Sequence, residues 1–210
     1  MRFDEVAARL ATLPAVLPEP PQILMPVRTD GVERRPTVRL TGATRAAAVL
    51  VLIVPDADRE ARVILTERVD RGGHHSGEVS FPGGKTEPED GDAAATALRE
   101  AVEEVGLDAD AAGVRVVGML EPFWIPVSNF QVTPVVAIAA RRPILVASPD
   151  EVARIVEAPV SAFLPDAEIE IVERTVRDWP LRYGAYSIDG LRVWGATARV
   201  LGQLGALLAG

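Results

Sequence analysis

Apolar positions along this chain keep two rhythms. Residues 46–54 form an unbroken apolar run, the pattern of a central strand buried on both faces. Pro55, Asp56 and Asp58 mark a turn, and residues 62–66 predict a second strand that closes a hairpin on the first. Residues 114–120 and 132–139 predict two further strands, and 150–159 another that leads into 160–164. From 168 to 176 polar and apolar side chains alternate, predicting a hairpin with 182–188. Asp189-Gly190 is a tight-turn signal, after which 191–194 continues the meander. Three stretches keep a helical period: 4–12, with Val6, Leu10 and Leu13 on one side; 93–105; and 195–208, with Ala198, Leu201, Leu204, Ala206 and Leu208 available for burial. Pro14, Pro18, Pro20, Pro21 and Pro26 fill the gap after the first helix and predict an extended arm lying across the core.

The middle helix has the clearest boundaries. Asp90 or Asp92 offers an N-cap oxygen, and Gly106 stands where a left-handed C-terminal cap is expected. Ala94, Ala97, Leu98, Ala101 and Val105 make its apolar stripe, and Glu100, Glu103 and Glu104 are expected to project away from it. Like charges at this spacing cost roughly 0.2–0.5 kcal/mol per pair. Arg99 is the one cation between Ala93 and Leu107. A solvated acidic face is the ordinary meaning of such a cluster. Here it follows a glycine pair, Gly83-Gly84, and a group of mutually repelling carboxylates suits a hard divalent cation that bridges to phosphate oxygens.

The wording of the stretch resembles the box of the Nudix hydrolases, Gly-x5-Glu-x7-Arg-Glu-U-x-Glu-Glu-x-Gly-U with U a bulky apolar residue. Arg99, Glu100, Glu103, Glu104, Gly106 and Leu107 match, and Ala101 fills the first U position. Gly84 and Arg99 lie 15 positions apart, one more than the pattern, and Asp90 stands near the place of the first glutamate. This longer box is similar to that of the coenzyme A pyrophosphatase branch, through Phe81-Pro82-Gly83-Gly84-Lys85, Asp90 and Thr96-Ala97-Leu98-Arg99-Glu100. The branch's upstream signature is matched at Ile64, Leu65, Thr66, Arg68 and Gly77, while its second arginine is Gly73 here, with Arg71 two residues earlier. Ser128-Asn129-Phe130 and Val193-Trp194-Gly195-Ala196-Thr197-Ala198 also resemble the branch.

Composition narrows the field. A net charge of −8 and a pI near 4.9 argue against non-specific nucleic-acid binding, so an anionic substrate must be attracted locally. Without cysteine there is no disulfide, thiolate metal site or cysteine nucleophile. No run of apolar residues reaches the length of a membrane span, and Met1 to Glu5 lack the layout of a signal peptide. The expectation is a cytoplasmic enzyme that binds neither nucleic acid nor membrane.

The resemblance, which covers residues 36–205, implies an α/β fold, a Nudix-type α/β/α sandwich with a mixed β-sheet; the domain is expected over 36–210, and 1–35, which carry none of the resemblance, form an N-terminal helix and proline-rich arm. It implies Mg²⁺- or Mn²⁺-dependent cleavage of coenzyme A, or a derivative, to adenosine 3′,5′-bisphosphate and 4′-phosphopantetheine. Glu100, Glu103 and Glu104 would hold the metal and do the chemistry, with Arg99 orienting a glutamate through a bidentate bond. The proton acceptor is one of these glutamates or a later carboxylate such as Glu121 or Asp150. Arg68, Arg71, Gly83, Gly84 and Lys85 are the substrate-binding candidates. Phe123, Trp124 and Phe130 serve equally well as pocket wall or as core. The adjacent His74 and His75 point in opposite directions on an extended chain and make poor metal ligands. The resemblance also admits a homodimer. Other nucleoside diphosphate derivatives (ADP-ribose, NADH, nucleotide sugars) or nucleoside triphosphates are the alternative substrates, and a non-catalytic nucleotide-binding module is the alternative class.

Overall fold

A computed structural model describes residues 1–30, 44–69, 78–126, 128–176 and 178–210. In chain order its elements are α1 (Phe3–Leu10), a 3-10 turn at Gln22–Leu24, β1 (Val27–Arg28), β2 (Arg45–Pro55), β3 (Ala61–Arg68), β4 (Val79–Ser80), β5 (Gly83–Lys85), α2 (Ala93–Val105) and α3 (Ala109–Ala112). There follow β6 (Val114–Met119), β7 (Phe123–Ile125), β8 (Phe130–Ala139), β9 (Val152–Pro159), a second 3-10 turn at Val160–Phe163, β10 (Glu170–Val176), β11 (Trp179–Ile188), β12 (Leu191–Val193) and α4 (Gly195–Ala209).

The long apolar run is β2, and it is central as its composition requires. It pairs antiparallel with β3 and β5 on one side and parallel with β8 on the other, so the main sheet is mixed. The order runs β4-β3-β2-β8-β6, with β9 on β3 and β7 on β8. Alternate side chains of β2 enter two cores. Ala48, Leu50, Leu52 and Val54 meet Ala97, Ala101 and Val105 of α2. Val51 and Ile53 join Phe3, Val6 and Leu10 of α1 and Leu201, Leu204 and Leu208 of α4 on the opposite face. Sheet between helices gives the α/β/α layering. A smaller sheet, β1-β11-β10 with β12 on β11, lies beside it.

Several boundaries move. α1 ends at Leu10, and Leu13 packs beyond it against Gly118. The strand expected from 150 begins at Val152. The proline-rich arm is more than a connector: Leu24 is buried, and β1 adds a strand to the small sheet opposite Leu181 and Arg182. The glycine pair, to which the sequence assigns no strand, lies in β5, locked by register onto Ala47–Val49. No helix among the described residues is long and apolar enough to cross a membrane.

Candidate active site

The site begins with the pairing of β5 against β2. A methyl group on Gly83 would sit 2.5 Å from the Ala48 carbonyl oxygen and 2.6 Å from Val49 Cα, so only glycine lets the two backbones close. A methyl group on Gly84 would meet Glu100 Oε1 at 2.5 Å. The glycine pair thus makes room for a sheet contact at one residue and for a helix carboxylate at the next.

The helix is fixed at both ends. Asp92, not Asp90, is the cap: its Oδ1 accepts from Ala95 N–H at 2.8 Å. Gly106 closes the helix at φ 63°, its N–H reaching the carbonyls of Ala101 and Val102. Asp90 has another task. It accepts Arg99 Nε at 3.0 Å and Nη2 at 3.1 Å, Glu87 N–H at 2.9 Å and Thr96 Oγ1–H at 3.0 Å. The Arg99 guanidinium, with the Glu87 amide, holds this carboxyl well below the usual carboxylate range. The expected bidentate partner of Arg99 was a glutamate; the structure makes it Asp90. From that anchor Arg99 also reaches Glu103 Oε2 at 3.0 Å, Glu100 Oε1 at 3.0 Å and the Lys85 carbonyl at 3.0 Å. One guanidinium therefore ties β5, the acidic turn and two helix glutamates together.

The three glutamates have different environments. Glu104, expected on the solvent side, is only 2 % exposed. It lies seven residues after Ala97 and three after Ala101, so the helical period itself puts it on the buried face. Its Oε2 accepts Gly83 N–H at 3.1 Å, and Arg68 Nη1 stands 3.7 Å from Oε1. Burial pushes its carboxyl up to about 7; Glu100 and Glu151 push the same way, and the Gly83 N–H and Arg68 oppose them. Glu100 is partly buried and is likewise raised by burial, against the pull of Arg99. Glu103 faces solvent and is held by Arg99. Among the described residues no three carboxylate or imidazole groups converge as a ready-made metal cage.

Of the other candidates, Arg68 ends β3 beside Glu104. Lys85 lies opposite Ala47, on the sheet face away from α2, with Glu87 3.7 Å from its ammonium. Arg71 lies outside the described residues, as do Gly73, His74, His75 and Gly77. The later carboxylate that acts electrostatically on Glu100 and Glu104 is Glu151. The chain from Ala139 to β9 folds back over the end of α2, where Ser148 N–H bonds the Glu104 carbonyl at 2.8 Å, and Val69 N–H bonds the Glu151 carbonyl at 3.0 Å. Sequence reasoning missed Glu151. Its one signal was its place beside the considered Asp150.

A buried carboxylate with one backbone donor, one arginine at long range and two acidic neighbours lacks compensating charge. All-oxygen donors, one of them in a glycine cradle, fit a hard divalent cation such as Mg²⁺ or Mn²⁺. Glu100 and Glu104 are the residues that could hold it.

The NUDIX domain pattern matches residues 44–175 of this chain. Nudix hydrolase 15, mitochondrial, of Arabidopsis thaliana is 38% identical over 166 residues, which cover 75% of this chain and 56% of the plant protein. The chain thus spans a little over half of that relative's length. An uncharacterized Nudix hydrolase, NudL, of Photorhabdus laumondii is 35% identical over 169 residues, 80% of this chain and 88% of the other. Among solved structures, the M. smegmatis Nudix hydrolase RenU shares the fold at a TM-score of 0.54 and 20% identity, covering 79% of this chain and 86% of its own. With the box helix, its glycine strand and the mixed sheet in place, the chain belongs to the Nudix family.

Proposed function

We propose that this chain is a metal-dependent hydrolase that cleaves the diphosphate of coenzyme A or its derivatives, releasing adenosine 3′,5′-bisphosphate and 4′-phosphopantetheine. The position of Arg68 carries the reading. It belongs to the stretch on which the coenzyme A resemblance rests, and its guanidinium stands 3.7 Å from the buried Glu104 carboxylate. The same residue therefore borders the reacting centre and can hold a phosphate oxygen there.

Mg²⁺ or Mn²⁺ held by Glu100 and Glu104, with Glu103 at the solvent margin, would shield the negative charge of the diphosphate. Gly83 and Gly84 let the strand close on β2 and on Glu100 beside the substrate, and Lys85 offers a point charge at the end of the same strand. The Asp90–Arg99 clamp fixes Glu100 and Glu103, so their carboxylates need little reorganisation when substrate binds. Water bonds through its oxygen to one phosphorus, the bridging P–O bond breaks, and the departing phosphate keeps the electron pair. The proton from water goes to a carboxylate oxygen of Glu151. Glu100 and Glu103 are bonded to Arg99, and Glu104 to Gly83 and Arg68, whereas the Glu151 carboxylate has no bonded partner among the described residues.

A second reading keeps this chemistry and changes the substrate to ADP-ribose, NADH, a nucleotide sugar or a nucleoside triphosphate. Gly73, where the branch pattern carries its second arginine, favours it. Product chromatography with Mg²⁺ or Mn²⁺ separates the two, offering coenzyme A, ADP-ribose, NADH and a deoxynucleoside triphosphate side by side. Adenosine 3′,5′-bisphosphate formed from coenzyme A alone is the expected result. Cleavage of ADP-ribose or NADH with coenzyme A left intact overturns the substrate assignment.

A further inference from the structure

Among the described residues, four arginines lie over aromatic rings. Arg28 stands 5.5 Å from the centroid of Trp179, Arg59 5.1 Å from Phe3, Arg45 4.0 Å from Phe130 and Arg199 5.1 Å from Phe123. The first two are neutralised by Asp30 and Asp4. Arg45 and Arg199 have no carboxylate within 4.0 Å among the described residues. Arg45 donates to the Ser128 carbonyl at 2.8 Å, and Arg199 contacts the Met25 sulfur at 3.7 Å. Stacking engages the face of a guanidinium and leaves most of its five edge donors free. The chain carries 30 acidic side chains against 22 lysines and arginines, so acids were not in short supply to neutralise these two.

Strand register puts the two arginines on one surface. Lys85 lies opposite Ala47, Ala47 opposite Val132, and Val132 opposite Phe123. Directly paired residues share a face, so these four form one row across β5, β2, β8 and β7. The next row holds Arg45, Phe130 and Ile125. This is the face away from α2, covered in part by α4, which supplies Arg199. The start of α4 is pinned to β4, which precedes the glycine strand in the chain, because Thr197 Oγ1 donates to the Val79 carbonyl at 2.9 Å. At about 4.8 Å per strand and 3.4 Å per residue, Arg45 stands roughly 8 Å from Lys85, and Phe123, under Arg199, roughly 14 Å. The residues between them in the row, Ala47 and Val132, carry no charge.

We propose that Arg45 and Arg199 form a second anion subsite, which binds a phosphate monoester carried on the ribose of the substrate, apart from the diphosphate that is cleaved. The row starts at Lys85, next in β5 to Gly84, which abuts Glu100 on the α2 side, so a ligand that passes over the end of β5 from Glu100 and Glu104 reaches it. Two unneutralised guanidiniums at its far part select a substrate with an additional dianionic group over one that ends in a bare ribose. This rests on the coenzyme A reading, since coenzyme A carries such a 3′-phosphate and ADP-ribose and NADH do not.

The test uses the intact chain and two readouts. The first is the ratio of kcat/KM for coenzyme A to that for 3′-dephospho-coenzyme A, with Mg²⁺. It should exceed about ten in the parent and fall at least about tenfold in Arg199→Gln and in Arg45→Gln, the effect of losing a charge-assisted hydrogen bond. Arg115→Gln, at an exposed position with no ring contact, should leave the ratio unchanged. The second is calorimetric binding of adenosine 3′,5′-bisphosphate against adenosine 5′-monophosphate, which needs no turnover. The bisphosphate should bind at least about tenfold more tightly to the parent, and this preference should shrink in both variants. Equal affinity for the two nucleotides in the parent overturns the subsite, as does a preference that both variants retain. A preference lost in the variants, in a protein that cleaves ADP-ribose and not coenzyme A, sinks the substrate assignment and leaves the subsite standing.

Discussion

Replacing Glu104 by glutamine separates what this carboxylate does for stability from what it does for catalysis. In the metal-free protein its carboxyl titrates near 7 against an ordinary 4.5, chiefly because it is buried. Each tenfold change in proton affinity corresponds to about 1.4 kcal/mol, so the ionised form weakens the fold by about 3 kcal/mol relative to the neutral form. The folded chain binds this proton more tightly than the unfolded chain. The contribution is therefore fully present below pH 4.5, is lost as pH rises through 7, and is absent above that. Glutamine keeps the volume and an acceptor for Gly83 N–H but cannot ionise. Denaturant unfolding in a chelating buffer at pH 5, 6, 7 and 8 should show wild type and Glu104→Gln diverging with rising pH. The variant should be the more stable at pH 8, by up to about 3 kcal/mol, with unchanged denaturant slopes. Added Mg²⁺ should recover stability in wild type at pH 8 and much less in the variant, because metal binding to the native state stabilises it. The same variant should lose at least about a hundredfold in turnover, as loss of a metal ligand or its support does. Parallel stability profiles from pH 5 to 8 would refute the claim that burial controls this carboxyl. Turnover within tenfold of the parent would remove Glu104 from the active site.

Gly83→Ala and Gly84→Ala should fail differently. The first forces a methyl into the β2 backbone and should lower stability by about 1–3 kcal/mol in denaturant unfolding, whereas the second displaces the flexible Glu100 carboxylate and should keep the fold while lowering kcat. Glu151→Gln should lower kcat by about 10²–10⁴-fold and remove a limb from the pH–rate profile; an unchanged profile takes it out of the proton transfer. Tyr183 buries a hydroxyl with no hydrogen-bond partner among the described residues, so Tyr183→Phe should match or exceed the parent's stability, by up to about 1 kcal/mol in thermal unfolding.

The elements with a strong period or a clear terminus were legible in the sequence. The run 46–54 reads as a doubly buried strand because both faces of β2 meet helices. Asp189-Gly190 reads as a turn because both residues take positive φ, 50° and 77°. The box helix shows its ends through Asp92 and Gly106. Features set by distant pairing were not legible. Two glycines and a lysine carry no strand propensity, and β5 exists because Ala47–Val49 presents an open edge. Nothing local in Val27-Arg28 announces a partner at Leu181 and Arg182. The misplacement of Glu104 had another cause. Its charge suggested solvent, while its spacing from Ala97 and Ala101 put it inside, and the spacing prevailed because Gly83 and Arg68 wait there. Glu151 gave almost no signal, because its value comes from a loop that folds back across the end of α2.

The departure at Asp90 now has a physical explanation. The common box places a glutamate six positions after its glycine and eight before its arginine; here the acid keeps the first spacing, at Gly84 and Asp90, and the added residue falls between Asp90 and Arg99. One more backbone residue goes with one fewer methylene in the side chain. The result is a tight turn, with Asp90 N–H on the Glu87 carbonyl at 3.1 Å and Glu87 N–H returned to Asp90 Oδ2. Four donors converge on a carboxylate whose side chain is 5% exposed. Asp90→Glu keeps the charge but drives the carboxylate past those donors, so the thermal midpoint at neutral pH should fall at least as far as in Asp90→Asn. Arg99 then loses its anchor, and Glu100 and Glu103 lose their orientation, so kcat should fall with it. Gly91 is the residue to remove in compensation, since a side chain there would touch nothing. Deleting Gly91 in the Asp90→Glu background restores the common spacing and should recover most of both losses. An Asp90→Glu protein as stable and active as the parent would mean that charge alone holds Arg99, and that the length of the turn is incidental.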